Sequence, residues 1–296
     1  MTRSVQLPPG VAAILASVFA MALADAIIKQ SSAGMTLWQI WVLRSALVLP
    51  VMLVTARGRV WPVPVPWVAL RCLALVAMYL TMYPALPLID MALAGAAFYT
   101  APLFIVGLSA LVLGNPVTTR HWVAILTGFA GVLVIVQPFG AAFSPVVLLP
   151  VAAAACYAGA AILTRARCAE VSPAVLGFWL NLAFLVVGGL ALLALSAGLA
   201  PALDYPFLTG PRAPMTLRAW AVIAILALLM VGIAVGVAVA YQSPRPEVVA
   251  SFDYAYMIFA SFWGFVFFAE VPQPWTLVGT ALITAGGLIV LTGRRA

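Results

Sequence analysis

Charge is what this sequence has least of. Only 7% of its 296 residues are Asp, Glu, Lys or Arg, against about 25% in an ordinary soluble domain. The chain is 66% hydrophobic, with a mean hydropathy of +1.19. So few charges cannot clothe a water-facing surface of this size, which excludes a soluble protein and requires an integral membrane one. Histidine is nearly absent. The single one, His121, stands beside Arg120 in a turn between apolar runs. Serine–histidine catalysis or a histidine-ligated metal site needs His at depth, so neither a membrane enzyme nor a metal is expected. Cysteine is scarce too: Cys72, Cys156 and Cys168 lack zinc-type spacing. No G-x-x-x-x-G-K-[ST] loop occurs, so no cofactor and no ATP-binding subunit is implied. The net charge of +7 comes from residues scattered singly between apolar spans. A nucleic-acid footprint would cluster them, so no nucleic-acid partner is expected.

What is present is a succession of apolar runs about 20 residues long, each able to cross a bilayer as a helix. Ten are read, at 10–30, 36–56, 66–89, 93–113, 120–138, 145–165, 173–197, 216–242, 248–269 and 273–292. The runs do not alternate with period two, which excludes barrel strands. The expected fold class is therefore an all-α integral membrane protein of ten transmembrane helices. A longer, proline-rich polar loop separates the seventh span from the eighth, at 198–215. The first span mimics a secretory signal, with Arg3 ahead of it and Ala22-Leu23-Ala24 inside it. Its removal would leave nine spans and an orphaned half, so it is read as a span. Short-loop Lys and Arg set the orientation. With the N-terminus inside, ten basic residues fall on the cytoplasmic side and three (Lys29, Arg212, Arg218) outside. Both termini are thus expected in the cytoplasm.

The chain also repeats. At an offset of 155, Tyr99 meets Tyr254, Phe104 meets Phe259, Val123 meets Val278, and Ala130-Gly131 meets Ala285-Gly286. The repeat divides the chain into halves at 1–138 and 139–296 with five spans each. Five is odd, so the second half enters the membrane inverted, a plan that recurs in secondary transporters.

Three pieces of sequence carry a family resemblance: Arg44 in the second span, "ALVLGNPVTTRHWVAILTGFAGVLVIV" (110–136) and "FVFFAEVPQPWTLVGTALITAGGLIVL" (265–291). The last holds an acid, a proline-flanked turn and spaced glycines. With ten spans in a five-plus-five inverted repeat, the chain resembles the drug/metabolite transporter superfamily in its EamA-type branch. Within that branch it looks most like the bacterial YddG-type aromatic amino acid exporters. The first half departs from the pattern, with Asn115 where the acid is usual and Ala124 where the second half has Gly279. The resemblance implies a multi-pass protein of the bacterial inner membrane, with spans one, three, four, six, eight and nine around a central cavity.

Ionisable groups within spans are expensive and face a cavity or a partner. Asp25 and Arg44 lie at depths that differ by only about 4–5 Å at 1.5 Å per residue, so the two can meet. They make a structural ion pair, or one that exchanges partners and binds a substrate carboxylate. Asp253, in span nine, either faces the cavity as a gating group or is satisfied by helix packing. Lys29, Asp90 and Glu270 sit at span ends, where long side chains reach water. Tyr79 and Tyr83 share a face of span three. With Tyr99, Tyr157 and Tyr241 they fall on the helices the resemblance places around the cavity. Each needs a partner for its hydroxyl, from packing or from a hollow. Pro84 and Pro102 interrupt the helical ladder and free carbonyls near Leu80 and Phe98 for an ammonium or water. Trp38, Trp61, Trp67, Trp122, Trp220 and Trp275 stand near span ends, as interfacial belts require. The expected function is export of amino acids, aromatic ones included, by alternating access. The alternative is efflux of drugs, nucleobases or other metabolites. The expected partners are the small-molecule substrate and the lipid bilayer.

Overall fold

The computed structural model describes residues 9–61, 63–114, 119–137, 144–199, 204–241, 252 and 254–292. Every regular element among them is helical. Helices α1 (Pro9–Ser31), α2 (Leu37–Thr55) and α3 (Val65–Ala85) open the chain, followed by α4 (Met91–Phe98), α5 (Ala101–Leu113) and α6 (Thr119–Val136). A single 3₁₀ turn, Pro145–Val147, leads into α7 (Leu148–Arg167). Then come α8 (Pro173–Ser196), the one-turn α9 (Pro206–Thr209), α10 (Leu217–Tyr241), α11 (Ala255–Phe268) and α12 (Pro274–Thr292).

Seven segments among the described residues are long and apolar enough to cross a membrane: α1, α2, α3, Met91–Val112, Pro145–Arg167, α8 and Leu217–Val237. The other three expected spans contain α6, α11 and α12, where Leu126–Ile135 and Ala255–Phe268 are shorter apolar helices. The expected fourth span is interrupted. Tyr99 and Thr100 are non-helical, and α5 begins at Ala101 with Pro102 in its first turn. Proline is at home there because that N–H has no helical partner. Pro102 therefore opens a helix, while the helix containing Pro84 runs one residue further, to Ala85.

Side chains on the outside are apolar, as lipid contact demands: Val54, Leu111, Leu217 and Ile258 are all strongly exposed. Trp61, Trp67, Trp122, Trp220 and Trp275 are exposed too. Trp38 instead turns inward. Its Nε1 donates to the Leu208 carbonyl at 2.7 Å, and its ring meets Trp41 edge-on.

The helices pair in a reciprocal pattern. α1 packs on α10 and α11, and α7 packs correspondingly on α3 and α5. α2 lies against α8, and α6 against α12. Small residues permit the close approach. A Cβ on Gly131 would stand 2.7 Å from the Gly279 carbonyl oxygen, and one on Gly279 would stand 2.6 Å from that of Gly131. In the G-x-x-x-G of α10, Gly236 is the residue against a neighbour, Ser17 of α1, while Gly232 faces open space.

The loop at 198–215 folds onto the bundle. Gln39, which closes a capping box with Thr36 at the start of α2, bonds both backbone groups of Ala213 at 3.0 Å. Tyr205 donates its hydroxyl to the Pro84 carbonyl at 2.6 Å. Burial pushes that phenol up to about 12, so it remains a donor at any physiological pH.

Candidate functional site

Ionisable side chains at membrane depth need somewhere to go, and here they share one hollow. A cavity of about 710 Å³, opening included, lies between α1, α2, α3, the α4–α5 break, α10 and α11. Asp25 and Arg44 both line it. So do Tyr79 and Tyr83, whose rings lie 4.9 Å apart on one face of α3 as their spacing requires. Tyr99 reaches it from the break between α4 and α5, where the interrupted helix turns the ring inward.

The sequence reading missed Tyr256, which lines the cavity from α11. It donates its hydroxyl to Asp25 Oδ2 at 2.6 Å, and its ring stacks on Tyr99 at 5.4 Å with 23° between planes. The repeat was the available signal. Tyr254, matched to Tyr99 by the offset, sits 5.4 Å from it ring to ring, so the two halves meet at this point. Four methionines were missed as well: Met21, Met78, Met82 and Met230 line the same hollow. Nothing about an apolar methionine in an apolar helix marks it from sequence. In place they give the wall a deformable, polarisable surface.

Tyr157 is not among the lining residues. It is 41% exposed, and its ring touches Phe98, which does line the cavity, at 5.7 Å. Tyr241 ends α10, and its side chain lies outside the described residues, as does Asp253. The Pro84 carbonyl is taken by Tyr205.

Asp25 and Arg44 share the cavity without forming an ion pair. Among the described residues the one ion pair joins Lys29 to Glu270. At span ends these two are expected as structural anchors able to reach water, and their side chains are only 9% and 14% exposed. Lys29 Nζ also donates to the Ile89 carbonyl at 2.6 Å and stands 4.9 Å over the Phe268 ring. Glu270 Oε2 accepts the Met91 N–H at 2.8 Å, at the start of α4. The end of α1, the α3–α4 loop and the α11–α12 turn are thereby fastened together on one side of the bundle.

Arg44 is 2% exposed. Its guanidinium lies 5.3 Å from the Phe184 ring, and the Tyr83 hydroxyl is in hydrogen-bonding reach of it. Its Nε and Nη2 have no partner. No group of three or more His, Cys, Asp or Glu that could hold a metal occurs among the described residues.

A bundle of membrane-length helices around one polar-lined hollow defines a multi-pass membrane protein, and comparison with known proteins shows what it is similar to. Residues 8–137 match the EamA-like transporter family. The chain is similar to the pseudopaline exporter CntI of Pseudomonas aeruginosa, 27% identical over 276 residues, 92% of this chain and 91% of that one. It is similar also to a riboflavin transporter of Rhizobium johnstonii, 26% identical over 76% of this chain and 70% of the relative. A riboflavin transporter of Vibrio cholerae is 30% identical over 64% of this chain and 58% of its own length. A solved crystal structure superposes with a TM-score of 0.63 at 23% identity, over 96% of this chain and 98% of its own, a likeness of fold alone. Over residues 8–137 the chain is thus similar to EamA-like transporters, and its long apolar helices make it a multi-pass membrane protein.

Proposed function

We propose that this chain is a secondary transporter that carries small organic metabolites outward across a bacterial inner membrane by alternating access. Its ten spans form two inverted halves, 1–138 and 139–296, with both termini cytoplasmic. The reciprocal packing of α1 on α10 and α11, and of α7 on α3 and α5, supports two related halves. The observation that carries the reading is the cavity between them, with Tyr79, Tyr83, Tyr99 and Tyr256 presenting ring faces beside Asp25 and Arg44.

Metabolite efflux leads over amino acid export for two reasons. The relatives that span most of the chain carry pseudopaline or riboflavin. The cavity's stacked rings also suit a flat, mostly apolar solute. Export of aromatic amino acids is the second reading, favoured by the presence of both signs of charge in one hollow, which suits a zwitterion. In either case Tyr79, Tyr83, Tyr99 and Tyr256 hold the substrate, while Asp25 and Arg44 orient it. The Lys29–Glu270 pair acts as the outer closure.

Counterflow in proteoliposomes tests this. Vesicles are preloaded with unlabelled riboflavin, phenylalanine or adenine, and entry of the labelled solute is followed. Saturable exchange of at least one of these solutes is the expected result. Exchange of phenylalanine alone moves the assignment to amino acid export. Flux that fails to saturate, or no flux, contradicts a carrier.

A further inference from the structure

The Arg44 guanidinium carries the inference. It is 2% exposed, on the wall of the cavity, and two of its donor nitrogens, Nε and Nη2, have no hydrogen-bond partner. A buried charged donor left unpaired costs more than almost any other polar defect. Such groups persist in native proteins where a ligand, ion or water completes them. The acid that could complete it from within the protein is Asp25, which lines the same hollow. Its Oδ2 instead accepts from Tyr256 at 2.6 Å, and it forms no ion pair with Arg44. Ser45, next in the chain, likewise leaves its hydroxyl unpartnered.

The identity of the two nitrogens matters. Nε–H and the Nη2–H nearest it point the same way along one edge of the planar guanidinium. That edge presents two parallel donors at the spacing of the two oxygens of a carboxylate. An ammonium, having no acceptor, can use neither, and a neutral carbonyl offers a single uncharged oxygen to both. Arg44 lines the cavity together with Tyr79 and Tyr83, which supply ring faces, and with the thioethers of Met78 and Met82. Phe184 backs the guanidinium at 5.3 Å and holds its plane.

We propose that the transported solute bears a planar anionic group, a carboxylate, which docks side-on against Nε and Nη2 of Arg44, with its apolar or aromatic body between the cavity tyrosines. This rests on the reading of the cavity as the substrate site. The choice of substrate class is Arg44's: removing the fork leaves the apolar body's contacts in place and abolishes the preference for an acid.

The test compares matched solutes on the full-length protein in detergent, with thermal stabilisation as the binding readout. The probes are 3-phenylpropionate and 3-phenylpropionamide, alike except for the carboxylate. The acid is expected to bind about tenfold or more tightly than the amide. Arg44→Gln is expected to bring the two within about threefold. Arg44→Lys, which keeps the charge but not the fork, is expected to retain only part of the preference. An acid that stabilises the wild type no more than the amide overturns the proposal, as does an undiminished preference in Arg44→Gln. Flux is measured separately on the same preparation. Acid-selective binding without flux contradicts the transporter reading and leaves the carboxylate site standing. Flux without acid selectivity contradicts the carboxylate site alone.

Discussion

Asp25 shows how a residue at membrane depth is satisfied. Its carboxylate meets the Tyr256 hydroxyl at 2.6 Å across 231 positions of sequence, so one bond ties the first half to the second at the cavity wall. Removing the donor in Tyr256→Phe leaves that oxygen buried without its partner, a loss of about 1–3 kcal/mol. A lower midpoint of thermal unfolding in detergent is expected, while Asp25→Asn with Tyr256 intact is expected to lose less. An unchanged midpoint in Tyr256→Phe would show that the bond carries no weight. Legibility differs residue by residue for physical reasons. Asp25 and Arg44 were readable because charge in an apolar run must face something, and Tyr79 and Tyr83 because four residues make one helical turn. Tyr157 misled because membership of a cavity-lining span does not say which of its rings reaches the hollow. Tyr256 was hidden two residues from Tyr254, the position the repeat singled out, and no spacing rule distinguishes the two. The pairing of Lys29 with Glu270 spans the fold, and no local pattern reveals it.

Elements carry the next level. The break at Tyr99–Thr100 separates α4 from α5, and Tyr99 lines the cavity there. In sequence it looks like one apolar run, because the proline that marks it stands at 102, inside the following helix. The α6–α12 pair is the opposite case. Its spaced glycines are visible in sequence, yet only the fold shows that Gly131 and Gly279 oppose each other's carbonyls. Gly279→Val should push the two helices apart. A cost of about 1–3 kcal/mol, the usual penalty of overpacking, is expected, read as a lowered unfolding midpoint. Gly232→Ala in α10 meets nothing and should leave the midpoint unchanged. A comparable loss at both glycines would contradict close α6–α12 packing.

The whole molecule is where closure is decided. The Lys29–Glu270 pair, with its further bonds to Ile89 and Met91, joins α1, α4 and the α11–α12 turn on one side of the bundle. Breaking one member leaves the other charge buried and alone, at a cost of about 3–5 kcal/mol. Glu270→Ala is therefore expected to destabilise this closed arrangement strongly. If the pair is the outer closure, the variant also admits reagents to the cavity from the outside more readily than the wild type. A variant as stable as the wild type and no more accessible would show that the pair is an anchor only. Composition made the membrane class legible at once, since seven described segments are long and apolar enough to cross. The two-fold repeat of five spans made the two halves legible as an expectation. The cavity's substrate lay beyond it, because a hollow is formed by residues far apart in the chain.

Access to the cavity from both sides is the central claim. In a background lacking Cys72, Cys156 and Cys168, Met230→Cys places one thiol on the cavity wall. Its labelling by a membrane-impermeant maleimide is measured in right-side-out and inverted vesicles, with and without riboflavin or 3-phenylpropionate. Labelling from both sides, slowed by at least one of the two solutes, is the outcome this account expects. Labelling from one side only, or rates unaffected by either solute, would contradict it.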